Sequence, residues 1–113
     1  MGEVGTLSTS LQNTAKPYIM RDDEFEWDNR KAAANLRDHQ ISFEAARLAF
    51  DDAFVVERDD QREDYGEDRY ALLGMVDDRL IYVAYTYRGD RIRIIMARGA
   101  EPYEKRLYHE ANS

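Results

Sequence analysis

Arginine is the residue type whose spacing in this chain could do chemistry. From Tyr85 to Arg98 the chain reads Tyr-Thr-Tyr-Arg-Gly-Asp-Arg-Ile-Arg-Ile-Ile-Met-Ala-Arg. Two strands joined at Arg88-Gly89-Asp90 account for this run, and side chains along a strand alternate between its faces. Ile92, Ile94 and Met96 are then expected to face a core, with Arg91 and Arg93 on the opposite face. A strand that holds guanidinium groups rigidly on an open face can grip phosphates through their paired N–H donors. The same alternation also makes an ordinary solvated sheet face, so by itself it leaves both readings open.

Other chemistries are thinly supplied. The chain has no cysteine, hence no disulfide framework and no thiolate for zinc or for nucleophilic attack. His39 and His109 are the two histidines. The pairs Asp51-Asp52 and Asp59-Asp60 lack the further convergent oxygens that magnesium needs. No metal and no cofactor is expected. There is no apolar run of about 18 residues, so no membrane span is expected, and residues 1–20 lack the basic start and apolar centre of a signal peptide. These features fit a cytoplasmic protein.

The net charge of −7 conceals a division. Residues 21–78 hold 8 Lys/Arg against 18 Asp/Glu, whereas residues 79–108 hold 7 against 3. Distribution decides where a polyanion docks, more than the sum does. The second half could receive phosphates, and the first would repel them or accept a basic partner.

The elements that must position these residues follow from local pattern. Residues 1–20 are rich in Ser, Thr and Asn and read as a flexible extension, leaving residues 21–113 as a single domain. Phe25-Glu26-Trp27 alternates as a short strand with Trp27 in the core, and Asp28 suits a helix N-cap. Residues 29–38, with Lys31 and three alanines, are predicted helical, ending near His39-Gln40. Ser42 caps a second helix whose apolar face includes Phe43, Ala46, Ala49 and Phe50. Strands are predicted over 53–57, 69–76, 79–87 and 91–98, with a charged loop over 58–67 and turns at Asp77-Asp78 and Gly89-Asp90. Pro102 opens a last helix to Glu110. The sum is an α+β domain: an antiparallel meander, two N-terminal helices and one C-terminal helix, with one sheet face covered and the other partly open.

Two blocks of this string, taken in order, resemble the BrnT family of ribonuclease toxins from type II toxin–antitoxin modules. The first is Phe25-Glu26-Trp27-Asp28, Lys31, Asn35, His39, Ser42-Phe43-Glu44-Ala45-Ala46 and Phe50-Asp51. The second is Asp68-Arg69, Gly74, Tyr85-Thr86, Arg88-Gly89, the arginine strand through Arg98, then Glu104 and Tyr108. The resemblance implies a RelE-like fold, metal-independent cleavage of RNA, and neutralisation in a hetero-oligomer with a BrnA-type antitoxin that represses the shared operon. Three places depart from the family pattern. Asp38-His39-Gln40 stands where Lys-His-Gly is common, Met96 where serine is usual, and Glu101-Pro102 where Thr and Arg are frequent. These changes weaken the basic surface.

Metal-independent RNA cleavage needs an activated 2′-hydroxyl, stabilisation of the charged phosphorane and a proton for the leaving oxygen. Arginine suits only the second, because it stays protonated. Arg91 and Arg93 are the first candidates for the phosphate; Arg69, at the head of an earlier strand, is a further candidate or else forms a salt bridge to the acidic loop. Arg98 either reaches the substrate or pairs with a carboxylate such as Glu104. His39 suits proton transfer, or else stabilises a helix C-terminus. Tyr108 offers a hydroxyl, or else packs on the sheet. Lys31 and Asn35 share a helical face and either brace the helix or meet a partner. Glu67 and Asp68 are possible bases in a loop equally explained by solvation. The competing functional class is a catalytically weakened interaction module that binds an antitoxin and supports repression. Direct DNA binding is the weakest reading, since the helices are acidic.

Overall fold

The computed structural model describes residues 19–59 and 68–113. Most of the expected extension, residues 1–18, and the expected charged loop from 60 to 67, including Glu67, lie outside the described residues. Ile19 and Met20, also assigned to that extension, open the first strand, and Met20 packs on the core.

In chain order the elements are β1 (Ile19–Arg21), β2 (Phe25–Asp28), α1 (Asn29–His39), α2 (Phe43–Leu48) with a 3-10 turn at Ala49–Asp51, β3 (Val56–Asp59), β4 (Tyr70–Val76), β5 (Arg79–Arg88), β6 (Arg91–Gly99) and α3 (Pro102–Ala111). The predicted strand over 53–57 thus begins three residues late, because Ala53 and Phe54 form a turn in which the Asp52 carboxylate accepts the Phe54 N–H. The second helix gives way to the 3-10 turn at Ala49.

The local chemistry accounts for the ends. Asp28 accepts the N–H groups of Arg30 and Lys31 at 2.8 and 3.4 Å, and Ser42 Oγ accepts that of Ala45 at 3.0 Å. Each satisfies a backbone donor that a helix start leaves without a partner. Helix α1 stops where Gln40 adopts the left-handed conformation, φ 58°, and returns its N–H to Leu36. Asp77 and Asp78, φ 49° and 65°, turn the β4–β5 hairpin, since short aspartates tolerate that region.

The sheet order is β1-β2-β6-β5-β4-β3. From β3 to β6 it is the expected antiparallel meander, but β2 lies parallel to β6, with Phe25 opposite Ile92 and Glu26 opposite Arg93. The sheet is therefore mixed. A parallel neighbour needs a long crossover, which α1, α2 and the meander supply, and alternation within a strand says nothing about which distant strand it will meet.

Helix placement also differs from expectation. Helices α1 and α2 cover the face made by Phe25, Trp27, Leu72, Val83 and Ile94, with Phe43 and Ala46 in the same core. Helix α3 crosses to the other face, where Tyr108 packs with Ala71, Leu73, Tyr82 and Ala84. It covers the half of that face near the β4–β5 turn; among the described residues no helix covers the half near the β5–β6 turn, where Glu26 and Thr86 are nonetheless only 3% exposed.

Register along β6 changes once. Tyr85 opposes Ile94 while Ala84 opposes Met96, so Ile95 is an extra residue, a β-bulge. Past it, parity inverts: Ile94 and Ala97 join one core, and Met96 packs against the other. The expectation that Ile94 and Met96 share a face is thereby corrected. The physical consequence is larger than one methionine. Arg98, opposite Tyr82, now lies on the same face as Arg93, opposite Thr86.

Candidate functional site

The open half of the face is organised around a buried carboxylate. Phe25 and Trp27 point into the core under α1 and α2, so Glu26 between them points to the other face, where it is only 3% exposed. Its Oε2 accepts from an Arg93 terminal nitrogen at 2.8 Å, and its Oε1 lies 3.4 Å from Arg21 Nε. A carboxylate this buried is tolerable because two cations compensate its lost hydration. Arg21 is more than half exposed while Arg93 is nearly buried, so the pair forms a positive rim and floor around one negative charge.

Arg91 is fixed differently. Its Nε donates to the Asp22 carbonyl at 2.7 Å. That carbonyl belongs to a tightly tied turn: the Asp22 carboxylate accepts the N–H of Phe25 at 2.7 Å, that of Glu24 at 2.9 Å and an Arg47 nitrogen at 2.7 Å. These bonds, the backbone ones foremost, hold the Asp22 carboxyl down at about 2. Arg47 also lies over the Phe25 ring, 4.7 Å from its centroid.

Arg69, half-buried, stands just before β4. The carbonyl of its neighbour Asp68 accepts the Thr86 hydroxyl, and Thr86 is directly opposite Arg93. The chain is thus tied at the edge of the same open face. Asp68 itself is exposed.

Arg98 takes the second of its two alternatives. Its two terminal nitrogens meet Glu104 Oε1 and Oε2 at 2.9 and 3.0 Å, and its guanidinium stacks on Tyr82 at 4.0 Å. Burial opposes charge on Glu104, but the fork of Arg98 outweighs it and holds the carboxyl below its usual range. Glu104 Oε1 also accepts the Glu101 N–H at 2.8 Å, closing the first turn of α3. Arg98 therefore fastens α3 to the sheet.

Tyr108 does likewise. Buried on α3, it donates to Asp52 Oδ2 at 2.6 Å, and that carboxylate also accepts the N–H groups of Met75 and Phe54. Burial and then the adjacent carboxylate push the Tyr108 hydroxyl up to about 12. A phenol so held is a poor proton donor near neutrality. His39 ends α1, on the opposite side of the sheet from Arg91 and Arg93. Asn35 is a brace: its amide nitrogen donates to the carbonyls of Ile41 and Ala97, and its oxygen accepts the Ala97 N–H. Lys31 is exposed.

Of the six residues singled out from sequence, then, Arg91 and Arg93 come together on the open face, with Arg69 at its edge. Arg98 shares the face but is committed to Glu104, while Tyr108 and His39 lie elsewhere. Glu26 and Arg21 join the site without having been singled out. The signal for Glu26 was present, since the alternation that buries Trp27 sends Glu26 the other way. Arg21 carried none, because its position depends on β1 pairing with β2. Among the described residues no group of three or more His, Asp or Glu side chains could hold a metal ion, and no helix is long and apolar enough to cross a membrane.

No curated protein sequence matches the chain. A model of one family does, and its matched span runs from Trp27, at the end of the Glu26 strand, to Glu104, the carboxylate that holds Arg98. That family is described as the ribonuclease toxin BrnT of type II toxin–antitoxin systems, and it matches residues 27–104. The chain belongs to the BrnT toxin family.

Proposed function

We propose that this toxin is a metal-independent endoribonuclease that inhibits translation, and that the open half-face of the sheet is where it holds RNA. The observation that supports the reading is the placement of Arg91 and Arg93 on one face of β6, each fixed by a hydrogen bond, to the Asp22 carbonyl and to the Glu26 carboxylate. When a 2′-hydroxyl attacks the adjacent phosphorus, negative charge grows on the non-bridging oxygens. Two positioned guanidinium groups stabilise it without reorganising. Arg69 and the exposed Arg21 extend the grip to neighbouring phosphates. Glu26, paired with Arg93, is the acceptor proposed for the 2′-hydroxyl proton, once the phosphate competes for Arg93. In the cytoplasm a BrnA-type antitoxin would mask this face in a hetero-oligomer.

An RNA-cleavage assay at low salt tests the reading. Arg91→Ala/Arg93→Ala is expected to lower the cleavage rate by about a hundredfold, the scale seen when a preorganised donor to a developing anion is lost. Equal cleavage by both proteins would discard the site, and no cleavage by either would discard the activity. A second reading has its own support. Arg93 and Arg98 are both engaged by buried carboxylates, and neither His39 nor Tyr108 stands at the open face to move protons. On that reading the chain is a catalytically weakened module that binds an antitoxin and supports repression. Antitoxin co-purification without growth arrest on expression would favour it.

A further inference from the structure

A second cationic feature lies across α3 from the arginine face. Residues four apart on a helix share a flank. Lys105 and His109 form one such flank of α3. There the helix, the β4–β5 turn and the end of β6 enclose a cleft of about 410 Å³, within the usual range for small-ligand pockets. Met75, Leu80 and Ala100 give it an apolar floor. Arg79, Lys105 and His109 stand around it, against the single carboxylate of Asp78.

Two of these side chains are held in place. The Arg79 guanidinium lies against Gly99, with a terminal nitrogen 3.0 Å from where a Cβ would be, so the bare backbone of β6 is what lets it settle there. The His109 ring packs edge-on to the buried Tyr108 ring, centroids 5.5 Å apart. An apolar floor with a positive rim suits a ligand that is flat and apolar at one end and anionic at the other. Inorganic anions would leave the floor unused, and apolar ligands would leave the rim unpaired.

We propose that this cleft is a nucleotide-binding subsite, taking the phosphate between Arg79 and Lys105 and the base against Met75 and Leu80. The nucleotide is either one unit of an RNA strand or a nucleotide monophosphate in solution. The inference stands on the cleft and is independent of the arginine-face reading.

Calorimetric titration of the full chain with adenosine 5′-monophosphate, inorganic phosphate and a cleavage-resistant 2′-O-methyl RNA tests it. Saturable binding of the monophosphate, tighter than that of phosphate, is expected. Arg79→Gln/Lys105→Gln should weaken it about tenfold or more, as expected for lost charge-assisted hydrogen bonds. Repeating the titration in the Arg91→Ala/Arg93→Ala background, which removes the proposed arginine-face site, reads the cleft alone and separates this result from the fate of the ribonuclease reading. A parallel loss of RNA affinity in the Arg79/Lys105 variant marks the strand as the source, and unchanged RNA affinity marks the soluble nucleotide. No saturable monophosphate binding, or binding indifferent to the Arg79/Lys105 substitutions in a protein whose circular dichroism is native, overturns the proposal.

Discussion

At the scale of single residues, the contacts sort chemically similar side chains into different jobs. Arg93 and Arg98 stand on one strand and one face, yet Arg98 is held by both oxygens of Glu104 and stacked on Tyr82, whereas Arg93 meets one oxygen of Glu26. Arg93 thus commits fewer donors to its carboxylate than Arg98 does, although the two side chains are similarly buried, 18% and 22% exposed. Tyr108 was legible in the sequence as a possible proton donor or as packing, and its burial and its bond to Asp52 support packing. Tyr108→Phe is therefore expected to cost about 1–2 kcal/mol of stability in urea denaturation, because Asp52 keeps its two backbone partners but loses the hydroxyl. Its RNA cleavage should stay within about twofold of the parent at a temperature where both are folded. A loss of cleavage with stability intact would return Tyr108 to the chemistry.

At the scale of elements, the departures from the family pattern acquire a structural meaning. Asp38 and Gln40 stand where the family commonly has lysine and glycine, and in sequence this read as erosion of a basic site. Gln40 is the left-handed cap of α1, a position glycine occupies without strain, and Asp38 pairs with Arg37 on the exposed end of that helix. The substitutions thus tax helix termination on the face away from the arginines. Gln40→Gly is expected to raise stability by about 0.5–1 kcal/mol, as strain relief exceeds the entropy of the more flexible unfolded chain. A thermal melt checks it, and RNA cleavage should not change. Gly74 has the opposite constraint. A Cβ there would lie 2.5 Å from the Ala49 carbonyl oxygen and 2.9 Å from Ala49 Cβ, in the 3-10 turn pressed on β4. Backbone cannot swing aside as a side-chain end can. Gly74→Ala should cost about 2 kcal/mol or more in the same melt, and a neutral result would mean the turn is looser than its packing indicates.

At the scale of the whole molecule, a chain of net charge −7 is a poor polyanion binder on average, so the proposed RNA contact must be local. That has a measurable form. Each phosphate neutralised on a single strand contributes about −0.7 to the slope of log affinity against log salt. Arg91 and Arg93 alone predict a slope of roughly −1.4, and recruitment of Arg21 and Arg69 roughly doubles it. Fluorescence anisotropy with a cleavage-resistant RNA across a range of KCl concentrations reads this directly, and a slope near zero would remove phosphate gripping from the account. Much of the molecule was settled by local order in the chain. Helix α1 with its Asp28 cap, the β4–β5 and β5–β6 hairpins, the core role of Trp27 and the alternation of Arg91 with Ile92 all follow from neighbours within a few residues, where turn chemistry and side-chain period act. The two-block resemblance similarly reached the toxin family. Tertiary structure alone decided the rest: the parallel pairing that sets Glu26 opposite Arg93, the bulge at Ile95 that brings Arg98 onto their face, and the crossing of α3 onto half of that face. These depend on which distant strands meet and in what register. Periodicity is a property of one segment, and a site assembled from β1, β2 and β6 exists only once the segments are brought together.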